Sequence, residues 1–288
     1  MAARPLAVLS IQSRVVYGHV GNSAATPALA SLGIETWPVD TVTLSSHLGY
    51  PDARGSRHHP ELLAALLEGL ASIGAYDECD ATLSGYLGES ANAAVVVDAV
   101  ARVRRANPAA IYVMDPVLGE RGEGLYVEES VARATRSMLL PIADVIVPNQ
   151  FELGWLTERS VDEVEDVLAA ARGLVAGARK EGRVLSVVVT GVESDGGTRL
   201  NNFLVDGEGA WRCSIERRPI EAHGTGDYFA ARLLGRRLLG ASMSEAVAAA
   251  TADTARIVAA TAAAGRRELV LGDQNGAGRI DTAISRIV

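Results

Sequence analysis

Residues 81–116, ATLSGYLGESANAAVVVDAVARVRRANPAAIYVMDP, hold the pattern that decides the fold. Ala81–Ser84 and Ile111–Met114 are short apolar runs of strand length. Between them Ala91–Arg105 carries Val95, Val96, Val100 and Val103 at helical spacing. A strand, a helix and a second strand in so short a stretch make a βαβ unit, whose two strands must run parallel.

The same alternation extends both ways. Upstream, Leu6–Ile11 is a buried strand bounded by Pro5, Gly21–Leu32 a helix and Glu35–Val42 a second strand. Pro60–Ser72 places Leu62, Leu63, Leu66, Leu67 and Leu70 at helical intervals. Downstream, Val145–Val147 and Val184–Thr190 are apolar bursts suited to central parallel strands. Helical patterns follow near Glu128–Leu139, Val161–Lys180 and Asp227–Gly240. Ser242 and Glu245 form a capping box that starts the alanine-rich helix Glu245–Ala264. The expected class is therefore α/β: a central, mostly parallel sheet with helices on both faces. No repeat or linker divides it, so residues 1–288 are expected to form a single domain.

Composition excludes several functions. An apolar fraction of 48% with 22% charge is that of a globular chain, not a disordered one. The alanine-rich stretch is broken by Asp253 and Arg256 and reads as a soluble helix, and nothing resembles a signal peptide or a membrane partner. Net charge is −8, which argues against nucleic acid. Cys79 and Cys213 lie far apart, so no disulfide framework or zinc site is expected and a cytoplasmic setting fits. Only one of the 27 basic residues is lysine, Lys180, so a Walker A loop is impossible.

Phosphate chemistry is nevertheless suggested by the run Glu221-Ala222-His223-Gly224-Thr225-Gly226-Asp227, which opens a helix. A glycine-flanked turn at a helix N-terminus offers backbone N–H groups and positive dipole to an anion without any lysine. An aspartate there would repel a phosphate that is merely held. It suits one being transferred, because the carboxylate can take the proton of an attacking hydroxyl. The plainer reading is that Asp227 only complements the helix dipole.

Other strand ends add to this. Asp115, followed by Pro116 and with Glu120 nearby, could hold Mg²⁺, or could simply end the strand in a turn. Asn149 and Glu152 lie one helical turn apart, where they could face a metal-bound triphosphate, or Asn149 could cap the helix. The Thr190 hydroxyl, ending another strand, could meet a phosphate. Ser13 suits hydrogen bonding to a ring nitrogen or hydroxyl, and the Tyr86 ring could cover a flat substrate or pack in the core. The non-periodic stretches Leu44–Arg57 and Leu118–Glu123 are candidate site walls or ordinary solvated loops, and Glu120–Gly124 is flexible enough for a lid.

Taken in order, LSIQSRVVYGHVGNSAA (residues 9–25), LSGYLG (83–88), DPVLG (115–119), Pro148-Asn149 and GTGD (224–227) resemble the pyridoxal kinases of the ribokinase-like superfamily, over nearly the whole chain. That resemblance implies a ribokinase-like three-layer fold, usually homodimeric. It implies transfer of the ATP γ-phosphoryl group to the 5′-hydroxymethyl of pyridoxal, with Mg²⁺ and often a monovalent cation such as K⁺. Carried over, Asp227 is the base, and the amides of Gly224, Thr225 and Gly226 form the anion hole. Ser13, His47, Leu48 and Tyr86 line the pyridoxal pocket, while Asp115, Val147, Asn149, Glu152 and Thr190 serve the nucleotide and its metal. Leu48 stands where many members have threonine and offers only backbone and apolar contact; Val147 stands where the animal enzymes commonly have threonine and offers only its backbone; Leu125 stands nearest a lid cysteine of some bacterial members. The alternatives are a hydroxymethylpyrimidine-type kinase and a weakly catalytic pyridoxal-binding protein; Asp227 argues against the latter.

Overall fold

The computed structural model describes residues 4–220, 222–271, 282 and 284–287. In chain order its elements are β1 (Ala7–Val15), α1 (Asn22–Ala30), β2 (Glu35–Leu44), β3 (Gly55–Arg57), α2 (Pro60–Ser72), β4 (Ala81–Ser84), α3 (Asn92–Ala106) and β5 (Ile111–Met114). A small hairpin follows, β6 (Gly119–Glu120) and β7 (Gly124–Leu125), then α4 (Glu129–Ala134), β8 (Val145–Ile146), α5 (Gln150–Thr157) and α6 (Val164–Lys180). The last elements are β9 (Ser186–Ser194), β10 (Arg199–Asp206), β11 (Gly209–Glu216), α7 (Thr225–Leu238), α8 (Met243–Ala263) and β12 (Ile284–Ile287).

The main sheet has ten strands in the order β12-β11-β10-β9-β8-β5-β4-β1-β2-β3. From β9 to β2 every pairing is parallel; β10, β11 and β12 extend one edge antiparallel, and β3 the other. Alternation along the central strands feeds two cores. Leu9, Ile11, Met114, Val187 and Val189 join α2, α3, α5 and α6 on one face. Val8, Val113 and Val188 join α1, α7 and α8 on the other. A sheet buried on both faces explains why these strands read as continuous apolar runs.

The chain moves outward from β1 to β2 in one direction, and through β4, β5, β8 and β9 in the other. The gap beyond the carboxyl ends of β1 and β4 is thus the topological switch point, where open α/β sheets bind ligands.

The edge strands β10, β11 and β12 have no counterpart in the sequence reading, and β9 runs past Thr190 to Ser194 instead of ending there. The helix expected over Glu128–Leu139 is α-helical only to Ala134 and continues as a π-turn, Thr135–Leu139. Among the described residues no helix is long and apolar enough to cross a membrane.

Candidate active site

Strand register lines up the chemistry. Ile11 pairs with Ser84, Ser84 with Met114, Met114 with Ile146, and Ile146 with Val187. The residues just beyond that row, Ser13, Tyr86, Asp115 and Asn149, therefore emerge at one end of the sheet. An isolated parallel bridge, Asn149 to Thr190, adds the next position.

Above this row stands the N-terminus of α7. Its N-cap is Gly224, at φ 85° and ψ 4°, which has no side chain with which to cap the first turn. Orphan amides of this kind are what an anion would satisfy. The turn is pressed against the segment after β1: a Cβ on Gly224 would lie 1.7 Å from the His19 carbonyl oxygen. Glycine is also required at 21, at φ 54°, where a Cβ would lie 2.3 Å from Ser13 Oγ. The amide of Gly21 faces the Asp227 carboxylate and favours its charged form. Asp227 is thus tied to the turn that also touches the Ser13 hydroxyl. Asp115 Oδ2 lies 3.8 Å from where a Gly226 Cβ would be, so a second carboxylate faces the same helix end. Glu221, quoted with this turn, lies outside the described residues.

Three carboxylates share the region. Burial pushes Asp227 up to about 6, opposed by the amides of Gly21 and of Asp227 itself. Burial also takes Glu152 up to about 7, against the pull of the Asn149, Leu118 and Gly119 amides. Asp115 is held well above the usual carboxylate range, first by burial, then by the charges of Asp227 and Glu152. Crowded, desolvated acids of this kind are relieved by a cation.

Glu152 has prior commitments. One of its oxygens accepts from Asn149 N at 2.9 Å, closing the capping box with Asn149 Oδ1 on Glu152 N. The other accepts from Leu118 N at 2.8 Å, while Asn149 Nδ2 donates to Gly119 O. Capping and site-building, set as alternatives by the sequence, are one arrangement: the cap of α5 fixes the loop that carries Asp115 into the hairpin. Among the described residues no group of three His, Cys, Asp or Glu side chains is set to cage a metal. The donor set suits a hard cation held by Asp115 and waters, with Glu152 behind it. Glu120 is exposed on the hairpin, and the charges acting on Asp115 are those of Asp227 and Glu152.

Ser13 is buried. Tyr86 is half-buried, its carbonyl accepting from Thr41 Oγ1 at 2.6 Å. Leu48 is 58% exposed on the loop after β2, and Thr190 is half-buried. Val147 is packed in the core, and its amide is bonded to Met114 O, which leaves only its carbonyl for a ligand.

The His47 ring lies 4.0 Å from that of His223 and 4.6 Å from that of Tyr50, centroid to centroid. Its Nε2 lies 3.2 Å from Glu268 Oε1. Burial lowers the His47 pKa, then the neighbouring His223, against the raising effect of Glu268. Tyr50 and Glu268 escaped the sequence reading as parts of a site, and His223 was read only as the residue before the GTGD turn. Glu268 follows Arg266 and Arg267 near a helix end and has the pattern of a solvated charge, yet it is 2% exposed.

The phosphomethylpyrimidine kinase family model matches residues 59–271. A relative called pyridoxal kinase PdxY from Deinococcus radiodurans is 38% identical over 270 residues, covering 93% of this chain and 91% of its own length. Another of that name from Rubrobacter xylanophilus is 39% identical over 266 residues, covering 92% and 91%. The structure of pyridoxal kinase from Leishmania donovani in complex with ADP and pyridoxamine superposes with a TM-score of 0.86 at 29% identity, covering 98% of this chain and 99% of that one. A lysine-free helix turn carrying GTGD, set over a row of strand-end carboxylates in the ribokinase-like fold, agrees with these matches, and the chain belongs to the phosphomethylpyrimidine kinase family, among its pyridoxal kinases.

Proposed function

We propose that this chain, as one domain, phosphorylates the 5′-hydroxymethyl group of pyridoxal with ATP, giving pyridoxal 5′-phosphate. The observation that carries the reading is that Gly21 faces two groups at once: its amide acts on the Asp227 carboxylate, and it lies against Ser13. A ring held at Ser13, with Tyr86, His47 and Leu48 around it, would present its hydroxymethyl near the Asp227 carboxylate. Asp227 takes the hydroxyl proton as the oxygen attacks the γ-phosphorus, and the bond to the ADP oxygen breaks. The amides of Gly224, Thr225 and Gly226 receive the oxygens of the migrating phosphoryl group. Fixed main-chain dipoles need no reorganisation as charge develops, so they can do the work a lysine does elsewhere.

On the nucleotide side we assign Asp115, Val147, Asn149, Glu152 and Thr190. Mg²⁺, held by Asp115 directly and by Glu152 through water, would supply charge neutralisation on the phosphates. A monovalent cation such as K⁺ is a further expectation, tested by replacing it with tetramethylammonium. A homodimer is expected too. Leu62 and Leu66 on α2, each 47% exposed, and Ile73 beyond them, 77% exposed, leave an apolar stripe that supports association.

The competing reading is hydroxymethylpyrimidine as acceptor. Purified protein with ATP and Mg²⁺ is given each acceptor in turn. Faster turnover with pyridoxal is expected, and turnover with hydroxymethylpyrimidine alone would replace the proposal.

A further inference from the structure

We propose that Glu268 is a positioning residue for the ring-binding side of this site: a buried carboxylate that fixes the orientation of His47 and ties three separate segments into one pocket wall. The inference rests on the reading of the chain as a pyridoxal kinase. It goes beyond it by assigning a role to a residue outside the recognised motifs.

Glu268 lies just past α8, far in sequence from everything it touches. Its Oε1 accepts from Tyr50 Oη at 2.8 Å and faces His47 Nε2 at 3.2 Å. Its Oε2 accepts from the His19 amide at 3.3 Å. Gly18 makes room for it, since a Cβ there would come within 2.0 Å of Oε2. A parallel bridge joins Glu268 to His223, so the same residue also borders the turn before α7.

These bonds fix a tautomer. The Gly49 amide donates to His47 Nδ1 at 3.2 Å, so Nδ1 must be the acceptor and Nε2 must carry the proton. That proton points at Glu268. His47 is thereby held with one face against His223, while Tyr50 meets it at a tilt of 52°. The carbonyl of His19, whose amide Glu268 holds, is the atom that packs against Gly224. One carboxylate therefore links the His47 loop to the turn that carries the anion hole.

A carboxylate can serve three donors because it only accepts. Glutamine has the same shape but presents one oxygen and one NH₂, so one donor must be left facing another donor. Glu268→Gln is thus a shape-conserving test. The expected result is a rise of about tenfold in KM for pyridoxal, the scale of one lost bond to a charged group. KM for ATP stays near wild type, while the melting temperature falls by a few degrees, as one unpaired buried donor requires. Imidazole ¹⁵N spectra at mildly alkaline pH should show His47 losing its preference for the Nε2–H form. A merely structural role would instead move both KM values together, and that overturns the inference. So does a folded variant with wild-type pyridoxal KM and an unchanged His47 tautomer. Should Glu268→Gln not fold, Tyr50→Phe removes one donor only and is expected to raise pyridoxal KM by about threefold; no change there counts against the inference equally. Wild-type protein that does not turn pyridoxal over at all overturns the functional reading itself, which keeps the two failures distinguishable.

Discussion

Replacing Gly224 by alanine separates backbone strain from displacement of the catalytic turn. The residue sits at φ 85°, where an L side chain costs about 1–2 kcal/mol. That cost alone would lower the melting temperature by a few degrees, about 2–4 °C per kcal/mol in a domain of this size. The larger effect is steric. The new Cβ would start 1.7 Å from the His19 carbonyl oxygen, which belongs to the backbone and cannot swing away. Relief to an ordinary carbon–oxygen contact of about 3.3 Å needs roughly 1.6 Å of movement between the α7 turn and the Gly18–Gly21 segment. A misplacement of about 1 Å at a reacting centre can cost about 10²-fold, so kcat should fall at least that far. Gly240→Ala is the control. Gly240 has φ 92° but open space around its Cβ position, so it should lose stability to a similar degree while kcat stays near wild type. Steady-state turnover and thermal melts on the two variants make the comparison. If Gly224→Ala kept more than about half the wild-type kcat, the packed turn would not be what positions the phosphoryl group.

The raised carboxylates give the pH dependence a definite sign. Asp227 acts as base only when ionised, so kcat/KM should rise with pH through about 6. Because the folded state holds Asp227 and Glu152 above their ordinary values, metal-free stability should fall as pH climbs from about 4 to about 7, and Mg²⁺ should shrink the fall; melts at mildly acidic and mildly alkaline pH check both. Away from the site, Asp253 accepts from Arg232 Nε at 2.8 Å, both side chains being buried between α7 and α8. Asp253→Ala should destabilise by about 3–5 kcal/mol, as an unpaired buried charge does, yet leave turnover below the melting transition intact. Cys79 is buried, with its thiol pushed up to about 11 by desolvation, so thiol reagents should label it only when the chain is unfolded.

Much of this molecule was legible because local chemistry and tertiary role coincide. Ala81–Ser84, Ile111–Met114 and Pro60–Ser72 appear in the structure with the bounds their apolar patterns gave. Ser242 with Glu245 caps α8 through the expected box. The strand ends carrying Asp115 and Asn149 lie in one row because parallel register aligns them, and the motifs were recognisable for that reason. The antiparallel edge β10–β11–β12 was missed since its strands mix charged and polar residues, Arg199, Asn201 and Asn202 among them, without a clean period. Tyr50 and Glu268 were missed for another reason. They come from segments far apart in sequence, and only folding brings their side chains together at His47.

The account turns on the pairing of Asp227 with an open helix end. The most direct measurement is single-turnover phosphoryl transfer to pyridoxal by Asp227→Asn, with ATP affinity measured alongside. The account predicts a rate lower by about 10²–10⁴-fold with ATP binding preserved. A rate within about twofold of wild type would contradict it.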